Sequence, residues 1–207
     1  MNSFSKTAVL AAALAVFGLA ANTASAQGIV HRGGARKNAD GGVTAGSATA
    51  ARGANGGAVV RGRGVATNGQ GGAVAARGSA AKGPNGGTAA RGAAVETNGQ
   101  GQGKSASGGA FQGPNGASGA RKSSTRWNDG NATHQGSAQA SGKNGSVQTS
   151  GSSQRNADGQ ASGQRNTTAT GANGNTYNGE TTYQKGQGAQ HSATCTNSSG
   201  QTIPCKQ

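Results

Sequence analysis

The sequence predicts an all-β fold: a repetitive antiparallel strand–turn array with a repeat of about 30 residues in two halves. The array is either a meander or a β-solenoid-like stack. Three observations predict it. A Gly-x-Asn-Gly turn recurs at a fixed interval, small residues fill the segments between turns, and large apolar side chains are nearly absent.

The turns keep a regular register. The last Gly of the Gly-x-Asn-Gly series recurs at a nearly constant interval, at Gly56, Gly86, Gly116, Gly145 and Gly174. A second series of Asn-Gly and Asp-Gly turns lies close to the middle of each interval, so the chain reverses twice in every repeat. These pairs accept the two positive φ values of a type I′ turn. The main predicted turn residues are Asn55, Gly56, Asn85, Gly86, Asn115 and Gly116.

The segments between turns are predicted strands. They are rich in Ala, Ser, Thr, Val and Gln, and Pro84 and Pro114 lie inside turns, where proline removes no ladder donor. Helix is disfavoured because glycine interrupts every run. A mid-strand glycine permits a bulge or bend, so we expect the strands to bend there and to pack small side chains face to face. These glycines are Gly62, Gly78, Gly92, Gly108, Gly136, Gly151 and Gly163.

A thick hydrophobic core is excluded. Beyond position 26 the chain contains no Leu, its only Phe is Phe111, and its only Ile residues are Ile29 and Ile203. Valine is also sparse, so these four residue types lie far below the roughly 20% under which disorder is the usual outcome. The alternative to the repeat array is therefore a largely disordered, low-complexity chain.

The N-terminus is a predicted signal peptide, residues 1–26. Lys6 precedes an apolar run at 7–21, and Ala-Ser-Ala at 24–26 is a small-x-small cleavage site before Gln27. The mature chain contains no predicted transmembrane segment, so we expect it to be secreted or at the cell surface, with the periplasm as an alternative. Residues 27–40 are predicted to be a basic flexible tail, 41–187 the repeat region, and 188–207 a disulfide-stapled hairpin or cap.

The two cysteines, Cys195 and Cys205, predict that staple. An even number of cysteines in an exported chain indicates a disulfide. Closing so short a loop stabilises the fold by roughly 2–3 kcal/mol.

Positive charge is concentrated in the first half of the mature chain. Residues 27–126 carry a net charge of +11 and residues 127–207 only +2. Arg61, Arg91 and Arg121 occupy the same position relative to the preceding turn glycine, so stacked repeats would align them in a column. A basic face attracts polyanions such as DNA, lipopolysaccharide or acidic polysaccharide. The predicted contact residues are Arg61, Arg63, Arg77, Arg91, Arg121 and Lys122. Alternatively, this charge only maintains solubility and blocks pairing at strand edges.

Catalytic chemistry is not expected. His31, His134 and His191 have no partners at metal-binding or catalytic spacing in the sequence. We therefore predict no enzyme activity, no metal site and no cofactor.

The Gly-Pro-Asn-Gly turns at 83–86 and 113–116 resemble those of uncharacterised exported bacterial Gly/Asn/Thr-rich repeat proteins. Asn-Gly-Gln-Gly at 68–71 and 98–101 is loosely similar to curli-type functional amyloid subunits. The period differs from that of curli, and regular Ser and Gln ladder positions are missing. The resemblance implies a fibre or matrix role. We expect an exported structural or adhesive repeat protein of the bacterial cell surface or extracellular matrix, with self-association. The alternative is a monomeric binding protein for anionic polymers.

Overall fold

The computed structural model describes residues 28–205, and these residues form antiparallel β-structure without a helix. The predicted signal peptide and its cleavage site before Gln27 lie outside the described residues. Thirteen strands occur in one sheet in sequence order, which confirms the all-β strand–turn array in its meander form. The strands are β1 Gly28–Lys37, β2 Val43–Arg52, β3 Ala58–Thr67, β4 Ala73–Lys82, β5 Thr88–Thr97, β6 Gln102–Gln112, β7 Ser118–Asn128, β8 Asn131–Gly142, β9 Gly145–Arg155, β10 Ala161–Gly171, β11 Thr176–Gln184, β12 Gly188–Thr196 and β13 Thr202–Ile203.

The chain divides into two units. The first ends at Ser107 and the second begins at Gly108. Within residues 28–205 no hydrophobic side chain is buried, although several large ones are exposed, such as Ile29 at 76%. The face-to-face packing of small side chains that the sequence suggested is therefore not formed among these residues. Hydrogen-bonded pairing between neighbouring strands is the main source of order in each unit.

The segment 27–40, predicted to be a flexible tail, contains β1. The whole of β1 pairs with β2, from Gly28 opposite Arg52 to Lys37 opposite Val43. In the structure this segment is therefore a paired strand of the sheet. A strand with one exposed edge tolerates basic side chains because they can extend into water.

Most turns differ from the predicted type I′ geometry. In the turn at Pro84–Gly86, the N–H of Gly83 donates to the carbonyl of Gly87 at 2.7 Å, and Gly86 adopts a φ of 86°. This is a three-residue loop ending in a left-handed glycine, and Asn85 does not have positive φ. Among residues 28–205, Asp129 is the one non-glycine with positive φ, 47°, and with Gly130 it forms a two-residue turn.

Asparagine contributes to the Asn-Gly-Gln-Gly turns through its side chain. The Oδ1 atom of Asn98 accepts hydrogen bonds from the N–H of Gln100 at 2.8 Å and from that of Gln102 at 3.1 Å. Asn68 does the same for Gln70 and Gly72. The positive φ values belong to glycines on either side of the Gln, such as Gly99 at 74° and Gly101 at 86°. The asparagine side chain therefore satisfies the backbone N–H groups of the loop, while the glycines adopt the positive φ values that the turn needs.

The mid-strand glycines do not produce the expected bulges in the pairings recorded for these strands. Gly62 lies directly opposite Gly78, and Gly78 lies opposite Gly92, without an extra residue in any of the three strands. Gly136 and Gly151 pair in the same way in the second unit. The repeat period brings these glycines into cross-strand rows because each hairpin advances by about the same number of residues.

The C-terminal staple is confirmed. Cys195 and Cys205 form a disulfide with their Cα atoms 5.2 Å apart. It joins the end of β12 to the segment that follows β13. Cys195 also lies opposite Ile203 in the pairing of β12 with β13. The described residues contain no helix that could cross a membrane.

Candidate polyanion-binding surface

Four of the six predicted basic residues lie on one face of the first unit. Arg61 and Arg63 are two residues apart in β3, so their side chains leave the same side of the sheet. Arg63 lies directly opposite Arg77 of β4. Arg61 lies opposite Ser79, which in turn lies opposite Arg91 of β5. Strands are about 4.8 Å apart, so Arg61 and Arg91 are about 10 Å apart in one cross-strand row.

Two serines orient two of these four arginines. The Nε atom of Arg63 donates to Ser47 Oγ at 3.2 Å, and that of Arg91 donates to Ser79 Oγ at 3.1 Å. Each contact uses one of the five N–H donors of a guanidinium group. The terminal amino groups remain available for an anion, and all four arginines are exposed.

No carboxylate shares this face among the described residues of the first unit. The unit has two acidic residues, Asp40 and Glu96. Asp40 lies in a turn and accepts a hydrogen bond from the N–H of Gly42 at 3.0 Å. Glu96 lies directly opposite Val74, which is three residues from Arg77 in β4, so its side chain leaves the other face of the sheet. There it pairs with Lys104 at 2.8 Å. Within the described part of this unit, no carboxylate therefore compensates the positive charge of the arginines.

The arginines belong to a polar strip that crosses the strands, which we name the arginine band. It consists of two cross-strand rows: His31, Thr49, Arg61, Ser79 and Arg91, and Gly33, Ser47, Arg63, Arg77 and Ala93. An apolar row borders it on each side. These rows are Ile29, Ala51, Val59, Ala81 and Ala89, and Ala35, Ala45, Val65, Ala75 and Val95.

The band fits a linear ligand with repeated negative charges. Arg63 and Arg77 are like charges in directly opposed positions, an arrangement that is destabilising in the absence of a ligand. A phosphate, sulfate or carboxylate placed between them would convert this repulsion into charge-assisted hydrogen bonds. A polymer lying across the strands would meet Arg61, then Ser79, then Arg91.

The other two predicted residues do not lie together on one face. Arg121 and Lys122 are consecutive in β7 of the second unit, so their side chains leave opposite sides of the sheet. Arg121 is opposite Ala138 and Lys122 is opposite Ser137. The two-residue period of a strand places adjacent residues on opposite faces.

Sequence reasoning missed the serines of the band and a polar face in the second unit. On that face Lys122, Ser137, Ser150, Asn166, Glu180 and Ser192 form one cross-strand row. A neighbouring row contains Gln139, Gln148, Thr168, Asn178 and Thr194. These rows combine several kinds of polar residue, and Gln139 lies directly opposite Gln148. Pairing each segment with the next across its turn would have exposed both features.

Residues 28–205 contain no group of three or more His, Cys, Asp or Glu side chains placed to hold a metal ion. Comparisons of the chain with protein-family models, with curated proteins and with solved structures find no match.

Proposed function

We propose that the protein is an exported structural or adhesive component of the bacterial cell surface or extracellular matrix, and that it acts by self-association. The observation that carries this proposal is the open sheet, in which no described hydrophobic side chain is buried. Exposed apolar residues include Ile29, Phe111 and Tyr183, at 76%, 48% and 46%. Apolar surface of this kind is buried only when another molecule covers it.

Export is the second part of this proposal. The Cys195–Cys205 disulfide is typical of an oxidising compartment, and the segment 1–26 has the pattern of a cleaved signal. N-terminal sequencing of protein recovered outside the cytoplasm should begin at Gln27 or within a few residues of it. Recovery of exported protein that still begins at Met1 would contradict cleavage.

Sedimentation velocity of the purified mature chain over a range of concentrations tests self-association. We expect the mean sedimentation coefficient to rise with concentration in the absence of any ligand. Thioflavin binding and electron microscopy of the same samples would show whether the assemblies are fibres. A chain that remains monomeric at every concentration would overturn the structural proposal.

Binding of anionic polymers is a second candidate function, and the arginine band is the observation that favours it. Four exposed arginines on a face without a carboxylate attract polyanions through charge and counterion release. Duplex DNA is a convenient probe because its charge is regular. We expect binding that weakens steeply with salt and does not depend on base sequence. Undetectable binding at low salt would exclude this function.

A further inference from the structure

The face of the first unit opposite the arginine band has a centre without polar side chains. Three successive same-face positions on each of four neighbouring strands are Gly, Ala or Val. We name this surface the glycine–alanine patch. Its rows are Gly46, Gly64, Ala76 and Ala94; Ala48, Gly62, Gly78 and Gly92; and Ala50, Val60, Ala80 and Ala90.

Three of the five glycines of the patch, Gly64, Gly78 and Gly92, are not required by the sheet itself, whereas a Cβ atom at Gly46 would lie 3.2 Å from the carbonyl oxygen of Arg63. A Cβ atom added at Gly64, Gly78 or Gly92 would have its nearest neighbour at 3.5, 3.5 or 3.6 Å, an ordinary van der Waals distance. None of the three has the left-handed φ that favours glycine. Alanine would therefore fit, and glycine within a strand is less stable than alanine. A glycine within a strand can also serve to let another backbone approach the sheet closely.

We propose that a second copy of this chain covers the patch, with the two copies packed face to face through their glycine–alanine patches. This inference rests on the proposed structural function and identifies the surface that performs it. A patch on a two-fold axis meets itself, so it must be self-complementary. A surface of hydrogen atoms and methyl groups, with the isopropyl group of Val60 as its one larger side chain, meets this condition because neither copy presents a long protrusion that needs a matching cavity.

The size of the face matches that of a stable interface. Five strands of ten residues cover about 24 Å by about 34 Å, or roughly 800 Å². A standard protein interface buries about 800 Å² on each partner. The patch supplies about 400 Å² of apolar centre on this estimate. Its border contains polar residues between small apolar ones, in keeping with an interface that has an apolar core and a more polar rim; the polar residues include Arg32, Arg36, Arg52, Lys82, Thr88 and Glu96.

Edge-to-edge pairing explains the glycines less well than face-to-face packing. The β1 strand presents Arg32, Arg36 and Lys37 along the edge of its hairpin with β2. A second β1 would bring the same charges next to these, and such charges are a common protection against edge pairing. The glycines of the patch, moreover, lie mainly on the inner strands β3 to β5, where an edge contact would not reach them.

The test compares two arginine substitutions at adjacent positions of β4 in the mature full-length chain. Ala76→Arg places a charge within the patch, whereas Ala75→Arg adds the same charge on the opposite face, where residue 75 lies opposite Val65 and Val95. Both alanines are half-buried. Sedimentation velocity should show self-association of Ala76→Arg weakened by at least about 30-fold, as for burial of an unpaired charge. Ala75→Arg should associate like the unchanged chain.

A second variant tests the same surface in case Ala76→Arg does not fold. The triple change Gly64→Ala, Gly78→Ala and Gly92→Ala should preserve or strengthen the strands, and circular dichroism should show the same β-structure. The added methyl groups should hold the two sheets apart and weaken association. Stronger strands together with weaker association are expected only if the glycines contact a second copy rather than stabilise the sheet itself.

Three outcomes would overturn the inference in different ways. If the unchanged chain associates and the patch variants associate equally well, the patch is not the interface and the structural proposal survives. If both arginine variants lose association equally, charge alone is responsible and the patch is again excluded. If the unchanged chain stays monomeric, the inference and the proposed structural function fail together.

Discussion

His191 and Thr181 lie directly opposite each other across β12 and β11, and Nδ1 of the histidine is 2.9 Å from Oγ1 of the threonine. The same pairing occurs for His134 with Thr125 and for His31 with Thr49, both at 2.8 Å. Each histidine of the chain therefore has a cross-strand hydroxyl partner. This is a structural use of histidine, since such pairs stabilise a sheet.

Tyr177 extends the His191 pair. Its hydroxyl oxygen is 3.1 Å from Nε2 of His191, and its ring lies over Gly179 of the same strand. An aromatic ring above a strand glycine shields backbone that no side chain covers. We expect Tyr177→Ala to lower the free energy of unfolding by about 1–2 kcal/mol, since it removes both the shielding and the hydrogen bond. Tyr177→Phe should have an effect of about 0.5 kcal/mol, because it removes only an exposed hydrogen bond. Chemical denaturation measures both, and equal effects would show that the ring contributes nothing.

The arginine band predicts a face-specific salt dependence of DNA binding. Replacing Arg61, Arg63, Arg77 and Arg91 with Gln should reduce the slope of log affinity against log salt by up to about 3.6, or about 0.9 for each phosphate contact. The matched control replaces four basic residues of the opposite face, Arg32, Arg36, Arg52 and Lys82. The control should retain most of the slope. Equal losses in the two variants would mean that net charge, rather than the band, binds DNA.

The turn geometry predicts unequal effects at two adjacent residues. Gly86 has a φ of 86°, whereas Asn85 is exposed and does not have positive φ. Gly86→Ala should destabilise the protein by about 1–2 kcal/mol through backbone strain. Asn85→Ala should change stability by less than about 0.5 kcal/mol. Thermal unfolding would reveal the difference. A large loss for Asn85→Ala would instead support a type I′ turn.

The disulfide predicts a local effect. Replacing Cys195 and Cys205 together with Ser should release β13, which pairs with β12 through only two residues, Thr202 and Ile203. Amide hydrogen exchange at these residues should accelerate, while exchange in β9 and β10 should not change. Intact mass after alkylation, with and without reductant, should detect two thiols only in the reduced sample. Faster exchange throughout the second unit would show that the disulfide stabilises more than its own hairpin.

The turn spacing was sufficient to predict the strands. Turn glycines at a short and regular interval left room for β-strands between them and excluded long helices, and the structure has both properties. The detailed turn type was not predictable from Asn-Gly pairs alone. A type I′ turn and a three-residue loop both place glycine at a positive φ, and the hydrogen bond from Gly83 to Gly87 distinguishes them.

The candidate site was predicted in part. Arg61 and Arg63 share a face because they are two residues apart, and this follows from the period of a strand. The position of Arg77 opposite Arg63 depends on the register across the loop at 69–71. That register depends on the length of the loop, which the sequence does not determine. The structure was therefore needed to show that the four arginines lie on one surface. Arg121 and Lys122 are adjacent in β7, so the period of a strand places their side chains on opposite faces.

Loop length has a consequence for how this chain can change in evolution. The three-residue loop at 54–56 joins strands in which odd-numbered residues face odd-numbered ones, as Thr49 faces Arg61. The two-residue turn at Asp129 and Gly130 pairs odd with even, as Thr125 faces His134. Side chains alternate between the two faces, so whether a loop has an odd or an even number of residues decides which face each side chain of the next strand occupies. Loss of a single loop residue would transfer the chemistry of every following strand to the other side. Insertion or deletion of residues in pairs, or of a whole hairpin, would preserve it.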